Sequence, residues 1–183
     1  MKIVIVPHPS LREVAKQVQE VDKKLIRFVG ELEKTLHDTK NPKGVGLAAT
    51  QVNAKRRVFA TQLNRSLRSY INPRIVKHDK KQTLGPNKKE PYLEGCLSIP
   101  GIYGPVPRHG WVDLEFQTIQ DGRLVTQVEH FDDFDARVIQ HELDHLDGIL
   151  FTDYTKKLDL PLYQENKETN KLDEVDPSII EIL

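Results

Sequence analysis

The sequence predicts an α+β fold: mainly antiparallel β-strands packed around a central helix, with a further helix near the N-terminus. Three observations carry this. A stretch after Asp22 has helical hydrophobic period, both arms of one hairpin between Val112 and Val128 alternate, and a second helical stretch runs from about Asp133 to Leu146. A chain of 183 residues is long enough to bury one hydrophobic core, so residues 1–183 are read as a single domain with an acidic tail from about residue 158.

In chain order, Lys2 to Val6 is a short β-branched run that ends at Pro7, which predicts a strand at a sheet edge. From Asp22, a suitable N-cap, Leu25, Val29, Leu32 and Leu36 recur at helical spacing until Asn41-Pro42 and Gly44 stop the pattern. Short β-type segments follow, among them Arg57 to Thr61 and Tyr70-Ile71. In the hairpin, Val112, Leu114 and Phe116 alternate with polar residues, Asp121-Gly122 supplies the turn, and Leu124 to Val128 returns. The second helix is capped by Asp132 or Asp133 and stopped by Gly148. One stripe of it carries Phe134, Val138, His141 and His145, with Ile139, Leu143 and Leu146 beside it and Arg137, Gln140 and Asp144 as a narrow polar strip. Such a helix is expected to be largely buried, its histidines inward. Two segments read as exposed or mobile: lysine-rich Lys77 to Lys89, and the tail after Lys157, broken by Pro161 and Pro177.

The 27 basic and 27 acidic residues cancel, so bulk charge calls for neither a nucleic-acid partner nor an anionic membrane. No apolar stretch approaches the roughly 20 residues of a membrane span, and the start lacks the layout of a signal peptide, so a cytoplasmic location is expected. The single cysteine, Cys96, excludes an internal disulfide and leaves a core thiol, a reactive thiol or a metal ligand.

His141-Glu142-Leu143-Asp144-His145 places two imidazoles four residues apart, which on a helix brings them onto one face within reach of one metal ion. Glu142 is rotated off their line, where its carboxylate can touch a water held by that ion without replacing it, as a general base must. A catalytic site of this kind takes three protein ligands. Candidates for the third are Cys96, Glu165 in the tail, and Asp144 or Asp147 nearby. Cys96 sits in the compact segment Glu94-Gly95-Cys96-Leu97-Ser98-Ile99-Pro100. A further segment, Gly44-Val45-Gly46-Leu47-Ala48-Ala49-Thr50-Gln51, reads by itself as a turn beside a tightly packed backbone. It is no phosphate loop, because no Lys-Ser or Lys-Thr follows.

Taken together, Gly44 to Gln51, Glu94 to Ser98 and Gln140 to Gly148, in that order, resemble the three signature motifs of the peptide deformylases. Looser similarity covers roughly residues 1 to 154, including Pro9, Leu11 and Arg12, the Asp22 helix and Val106 to Arg108. The resemblance implies that Cys96, His141 and His145 bind one divalent metal ion per chain. The family commonly uses ferrous iron, so the resemblance implies Fe2+ in cells, with Zn2+, Ni2+ or Co2+ as ions that can occupy the site, and an exposed iron-thiolate centre implies oxygen sensitivity. It implies further that Glu142 is the acid-base residue, that the Gln51 side-chain amide and the Leu97 backbone N–H face the formyl oxygen, and that Gly46 offers backbone to the substrate. The implied reaction removes the formyl group from N-formylmethionyl peptides of nascent chains and releases formate. Val45, Phe134 and Val138 are expected to wall the methionine pocket.

Two other readings are an H-E-x-x-H peptidase with Glu165 as third ligand, and a structural metal site that leaves Glu142 and Gln51 unemployed. The resemblance also implies transient proximity to the ribosome. Many family members carry a basic C-terminal helix for docking there. This tail is acidic and closes on the apolar run Ile179-Ile180-Glu181-Ile182-Leu183, and the lysines between Lys77 and Lys89 read as a solvated loop.

Overall fold

The computed structural model describes residues 1–86, 90–166, 168–169, 171–176 and 178–179. Helix α1 (Lys23–His37) precedes strands β1 (Gly46–Ala48), β2 (Val58–Leu63), β3 (Ser66–His78), β4 (Gln82–Thr83), β5 (Leu93–Cys96), β6 (Ile99–Pro105), β7 (Arg108–His109), β8 (Trp111–Gln120) and β9 (Arg123–Asp132). Helices α2 (Asp133–Leu146) and α3 (Phe151–Leu158) and strands β10 (Leu162–Asn166) and β11 (Lys171–Val175) follow. The strands form a five-stranded sheet in the order β1-β2-β3-β8-β9, a four-stranded sheet β11-β10-β6-β5, and the pair β4-β7. Every pairing between these strands is antiparallel. The α+β class with an N-terminal helix and a central histidine-bearing helix is therefore the class read from the sequence.

Each element forms for a local reason. The Asp22 carboxylate accepts the Leu25 N–H at 2.6 Å, and Leu25, Leu32 and Leu36 turn one buried face of α1 onto β2. The helix ends at His37, short of Pro42, where the Thr39 hydroxyl takes the Leu36 carbonyl and accepts from Gly44 N–H. The β8–β9 hairpin keeps uninterrupted register from Trp111↔Asp132 to Gln120↔Arg123, turning at Asp121 and Gly122, both with positive φ. Its inward residues Val112, Leu114 and Phe116 join Phe59, Tyr70 and Phe131 in the core on which α2 lies through Ala136, Ile139, Leu143 and Leu146. Gly148 stops α2 with φ 73°, its α-carbon so close to the Arg12 backbone that an added Cβ would meet the Arg12 oxygen at 2.7 Å.

Four sequence expectations are corrected. Lys2 to Val6 belongs to no strand: the Val4 and Val6 N–H groups bond to Gln51 and Ser98 carbonyls at 2.9 and 3.0 Å, on two different segments, so no single ladder forms. The extended N-terminus thereby ties two of the three motif segments together. Second, the tail after Lys157, read as exposed or mobile, carries the paired strands β10 and β11, and α3 leads into it. Phe151 and Leu162 are fully buried in the core of the four-stranded sheet, and β10 pairs with β6 through Tyr163↔Tyr103 and Gln164↔Ile102, while Gln164, Glu165 and Glu174 stay exposed or partly exposed. Pro177 and Ile180 to Leu183 lie outside the described residues, whereas Ile179 packs on that core. Third, Lys77 to Pro86 is largely exposed as expected but not irregular, since β3 reaches His78 and Gln82-Thr83 pairs with Arg108-His109; Asn87 to Lys89 lie outside the described residues. Fourth, Phe134, on the first turn of α2, is 52% exposed instead of inward, while Arg137 and Gln140 of the polar strip are buried, in keeping with a largely buried helix.

Candidate active site

Helix α2, the β5 end and the β1 segment meet around a cavity of about 280 Å³. β1 and β5 are the edge strands of their respective sheets, so the cavity lies between two sheet edges with α2 as its floor. His141 and His145, one turn apart on α2, present Nε2 atoms 3.2 Å apart. The Cys96 sulfur, delivered by the end of β5, lies 3.2 Å from His145 Nε2, and the three candidate ligand atoms fall within 4.8 Å of one another. Nitrogen ligands about 2.1 Å from a tetrahedral ion lie roughly 3.4 Å apart, so this spacing fits one ion of the zinc or ferrous type. The donor set, one thiolate and two imidazoles, leaves a coordination position for a reacting group.

The surroundings fix these ligands. Glu94 Oε2 lies 2.9 Å from His141 Nδ1. Burial alone would raise the Glu94 carboxyl, but the Arg108 guanidinium, by charge and two hydrogen bonds, outweighs it with help from His141 and holds the group at about 2. Glu94 is therefore ionised, His141 Nδ1 carries the hydrogen, and Nε2 is turned toward Cys96 and His145. Burial pushes the His145 imidazole well below its usual range, which keeps it neutral as a ligand must be. For His141, burial is outweighed by hydrogen bonds to Cys96 and Glu94, which raise it well above its usual value; a cation held by the three ligands would take the place of the Nε2 proton.

Glu142 is 3% exposed, and its Oε2 has no hydrogen-bond partner among the described residues. Burial, reinforced by the nearby Glu94 and Asp144 charges against the pull of His141 and Arg108, pushes its carboxyl up to about 7. A carboxyl that exchanges a proton near neutral pH, aimed into a cavity beside three metal-ligating atoms, suits general acid-base work. Gly46 makes room for it: a Cβ there would lie 2.6 Å from Glu142 Cδ and closer still to Oε1.

Of the residues that the motif resemblance assigns to the site, Val45, Gly46, Gln51, Leu97, Phe134 and Val138 line this cavity with Cys96, His141 and Glu142, while His145 is buried beside Cys96 and His141. Gln51 is oriented by Ala48 N–H, which donates to its Oε1 at 2.8 Å. Its Nε2 donates to Ser98 Oγ at 3.1 Å and more weakly to Cys96 Sγ at 3.4 Å. The rival third ligands lie elsewhere: Glu165 is exposed on β10, Asp144 binds Arg108, and Asp147 pairs with Arg57 at 2.6 Å. Sequence reasoning missed the support. Arg108 is 3% exposed between Glu94 and Asp144, and Arg137 donates to the Val106 and Thr83 carbonyls at 3.0 and 2.6 Å beneath the Tyr92 ring. Nothing in residue type announces a buried arginine; the only signal was that Val106 to Arg108 accompanied the motifs.

The family model of polypeptide deformylase matches residues 1–160. A peptide deformylase of Treponema pallidum is 38% identical over 153 residues, which are 84% of this chain and 86% of that protein. One from Rhodopirellula baltica is 39% identical over 158 residues, 84% of this chain and 72% of that protein. Among solved structures, Plasmodium falciparum peptide deformylase with an inhibitor superposes with a TM-score of 0.71 at 33% identity, over 86% of this chain and 91% of that one. The Synechococcus elongatus enzyme in complex with actinonin gives 0.72 at 31% identity, over 91% and 80%. With the family match running through all three motif segments and the cysteine and two histidines converging as a metal-binding group, the chain belongs to the polypeptide deformylase family.

Proposed function

We propose that this protein is a metal-dependent hydrolase that removes the formyl group from N-formylmethionyl peptides of nascent chains, with Cys96, His141 and His145 holding the metal and Glu142 moving the proton. The observation that carries this reading is the joint geometry of one site: three ligand atoms within 4.8 Å, and beside them a buried carboxyl that exchanges its proton at about 7.

When bound, a divalent ion at the three ligands supplies Lewis acidity that activates water and polarises the formyl carbonyl. Glu142 takes a proton from the attacking water and returns it to the departing amine, and its tuned carboxyl is suited to both transfers. The Gln51 amide, by redirecting the hydrogen it lends weakly to Cys96, and the Leu97 backbone N–H stabilise the negative charge that develops on the formyl oxygen. An extended peptide pairs with backbone at the two sheet edges, Gly46 among them, which aligns the formyl end with Glu142. Val45, Phe134 and Val138 contact the methionine side chain, Val138 deep in the cavity and Phe134 at its mouth.

Residues 1–183 act as one catalytic unit, a reading supported by β10, which pairs beside β6, and by Phe151 of α3 and Leu162 of β10, which join the same core. Ferrous iron is the physiological metal in this reading, with Zn2+, Ni2+ or Co2+ as substitutes, because a mixed thiolate-imidazole set accepts all of them. The protein works in the cytoplasm in passing proximity to ribosomes; no helix among the described residues is long and apolar enough to cross a membrane. Chelation tests the metal. Formate release from a formylmethionyl tripeptide is expected to vanish when the protein is stripped and to return, fastest under anaerobic conditions, on adding Fe2+. Full activity in the stripped, metal-free protein would overturn the assignment.

A further inference from the structure

Behind His141, buried polar contacts run outward to α3. The Tyr154 hydroxyl donates to Asp144 Oδ1 at 3.2 Å, and the Tyr154 ring lies 5.1 Å from the Arg108 guanidinium carbon. Arg108 Nη1 donates to the other Asp144 oxygen at 2.5 Å, while its Nε and Nη2 each donate to Glu94 at 2.8 Å. Glu94 then meets His141 Nδ1 at 2.9 Å.

We propose that Tyr154 is a positioning residue for the metal centre: its ring and hydroxyl hold Arg108 and Asp144 in place, and through Arg108 and Glu94 they set the imidazole of His141. The proposal rests on the reading of Cys96, His141 and His145 as the metal-binding group. Arg108 has a planar fork that grips a carboxylate in one orientation only, and here it grips two at once. It is held between Glu94 and Asp144, and its guanidinium carbon lies over the Tyr154 ring. Without Tyr154, Asp144 loses a donor and the guanidinium loses that ring, so Arg108 is free to shift. A competitor stands ready for Glu94, since Arg137 Nη1 is 3.5 Å from the same Oε1 that Arg108 holds. A Glu94 drawn toward Arg137 turns away from His141 Nδ1 and releases the ring. Burial and the neighbouring Asp144 push the Tyr154 phenol up to about 12, so it remains a donor across the working pH range.

The test uses the full chain as Tyr154→Phe, which keeps the ring and loses the hydroxyl, and as Tyr154→Leu, which loses both. Zn2+ affinity is read by competition with a chromophoric chelator, and ligand geometry from the visible absorption of the Co2+ form. Removing a group that hydrogen-bonds a metal ligand directly, as Glu94 does, lowers metal affinity by about 10–100-fold. Tyr154 acts on His141 through Arg108 and Glu94, so Tyr154→Leu is expected near the lower end of that range, Tyr154→Phe is expected to fall between it and the parent, the Co2+ spectrum is expected to shift, and kcat is expected to fall with KM for a formylmethionyl peptide nearly unchanged. Parent-like Zn2+ affinity and Co2+ spectrum in folded Tyr154→Leu would overturn the proposal, even if its melting temperature dropped. If that variant does not fold, a Tyr154→Phe protein indistinguishable from the parent in both readouts overturns it equally. Failure of the deformylase reading is separable: a parent that binds Zn2+ but releases no formate sinks that reading and leaves this comparison intact.

Discussion

Glu142→Gln is expected to give a folded protein that keeps its metal and releases formate about 10²–10⁴-fold more slowly, the range that general acid-base catalysis contributes. The substitution keeps size and shape at a site that is 3% exposed, so packing around it is conserved. Glu142 Oε2 makes no hydrogen bond among the described residues, so no structural bond is lost when an amide replaces it. Burial raises the carboxyl to about 7, so it is the ionised form that costs the fold; that cost grows as pH rises from the ordinary carboxylate range and is full above about 7, where a neutral amide removes it. Metal content should therefore match the parent, and melting temperature should match or exceed it, while turnover collapses. A variant that loses metal or melts far lower would show that Glu142 holds the centre together instead of moving its proton. One that turns over normally would remove Glu142 from the reaction.

Gly46→Ala is expected to be as damaging to turnover without touching a ligand. An added Cβ would lie 2.6 Å from Glu142 Cδ and 2.8 Å from its Cγ, distances at which one side must move. Neither backbone is free to give. β1 is held to β2 by Gly46↔Thr61, Leu47↔Ala60 and Ala48↔Phe59, and α2 is locked into the core by Ala136, Ile139 and Leu143. The Glu142 side chain must swing away, and a misplacement of about 1 Å can cost on the order of 10²-fold in rate. Forcing a methyl into this packed spot costs about 1–3 kcal/mol of stability as well. Metal analysis, a thermal melt and kcat/KM for one formylmethionyl peptide separate these effects. Parent-like kcat/KM would mean that the Glu142 position seen here is not the working one.

Much of this was legible in residue pattern because the relevant chemistry is local. The spacing of His141 and His145 sets two imidazoles on one helical face, and Asp22 and Gly148 cap and stop helices through their own backbone geometry. The β8–β9 hairpin announced itself by alternation and Asp121-Gly122. What stayed hidden depends on partners distant in sequence. Lys2 to Val6 has the composition of a strand, but Gln51 and Ser98 claim its donors. The polar strip of α2 does not show its partner, because Arg108 lies 36 residues before Asp144. The acidic tail gives little sign of its order, because Leu162 is its one fully buried apolar side chain among the described residues and its place depends on the distant strand β6. Cys96 was one of several open third ligands on spacing alone; the motif resemblance favoured it, and the fold sets it beside both histidines.

The most direct measurement is product analysis of anaerobically purified, Fe2+-loaded protein incubated with a formylmethionyl peptide long enough to expose internal bonds. The account predicts formate and a free α-amino terminus in equal amounts, with every internal peptide bond intact and no acetyl group removed from the acetylated counterpart. Folded, metal-loaded protein that releases no formate, or that cuts the peptide internally, would contradict it.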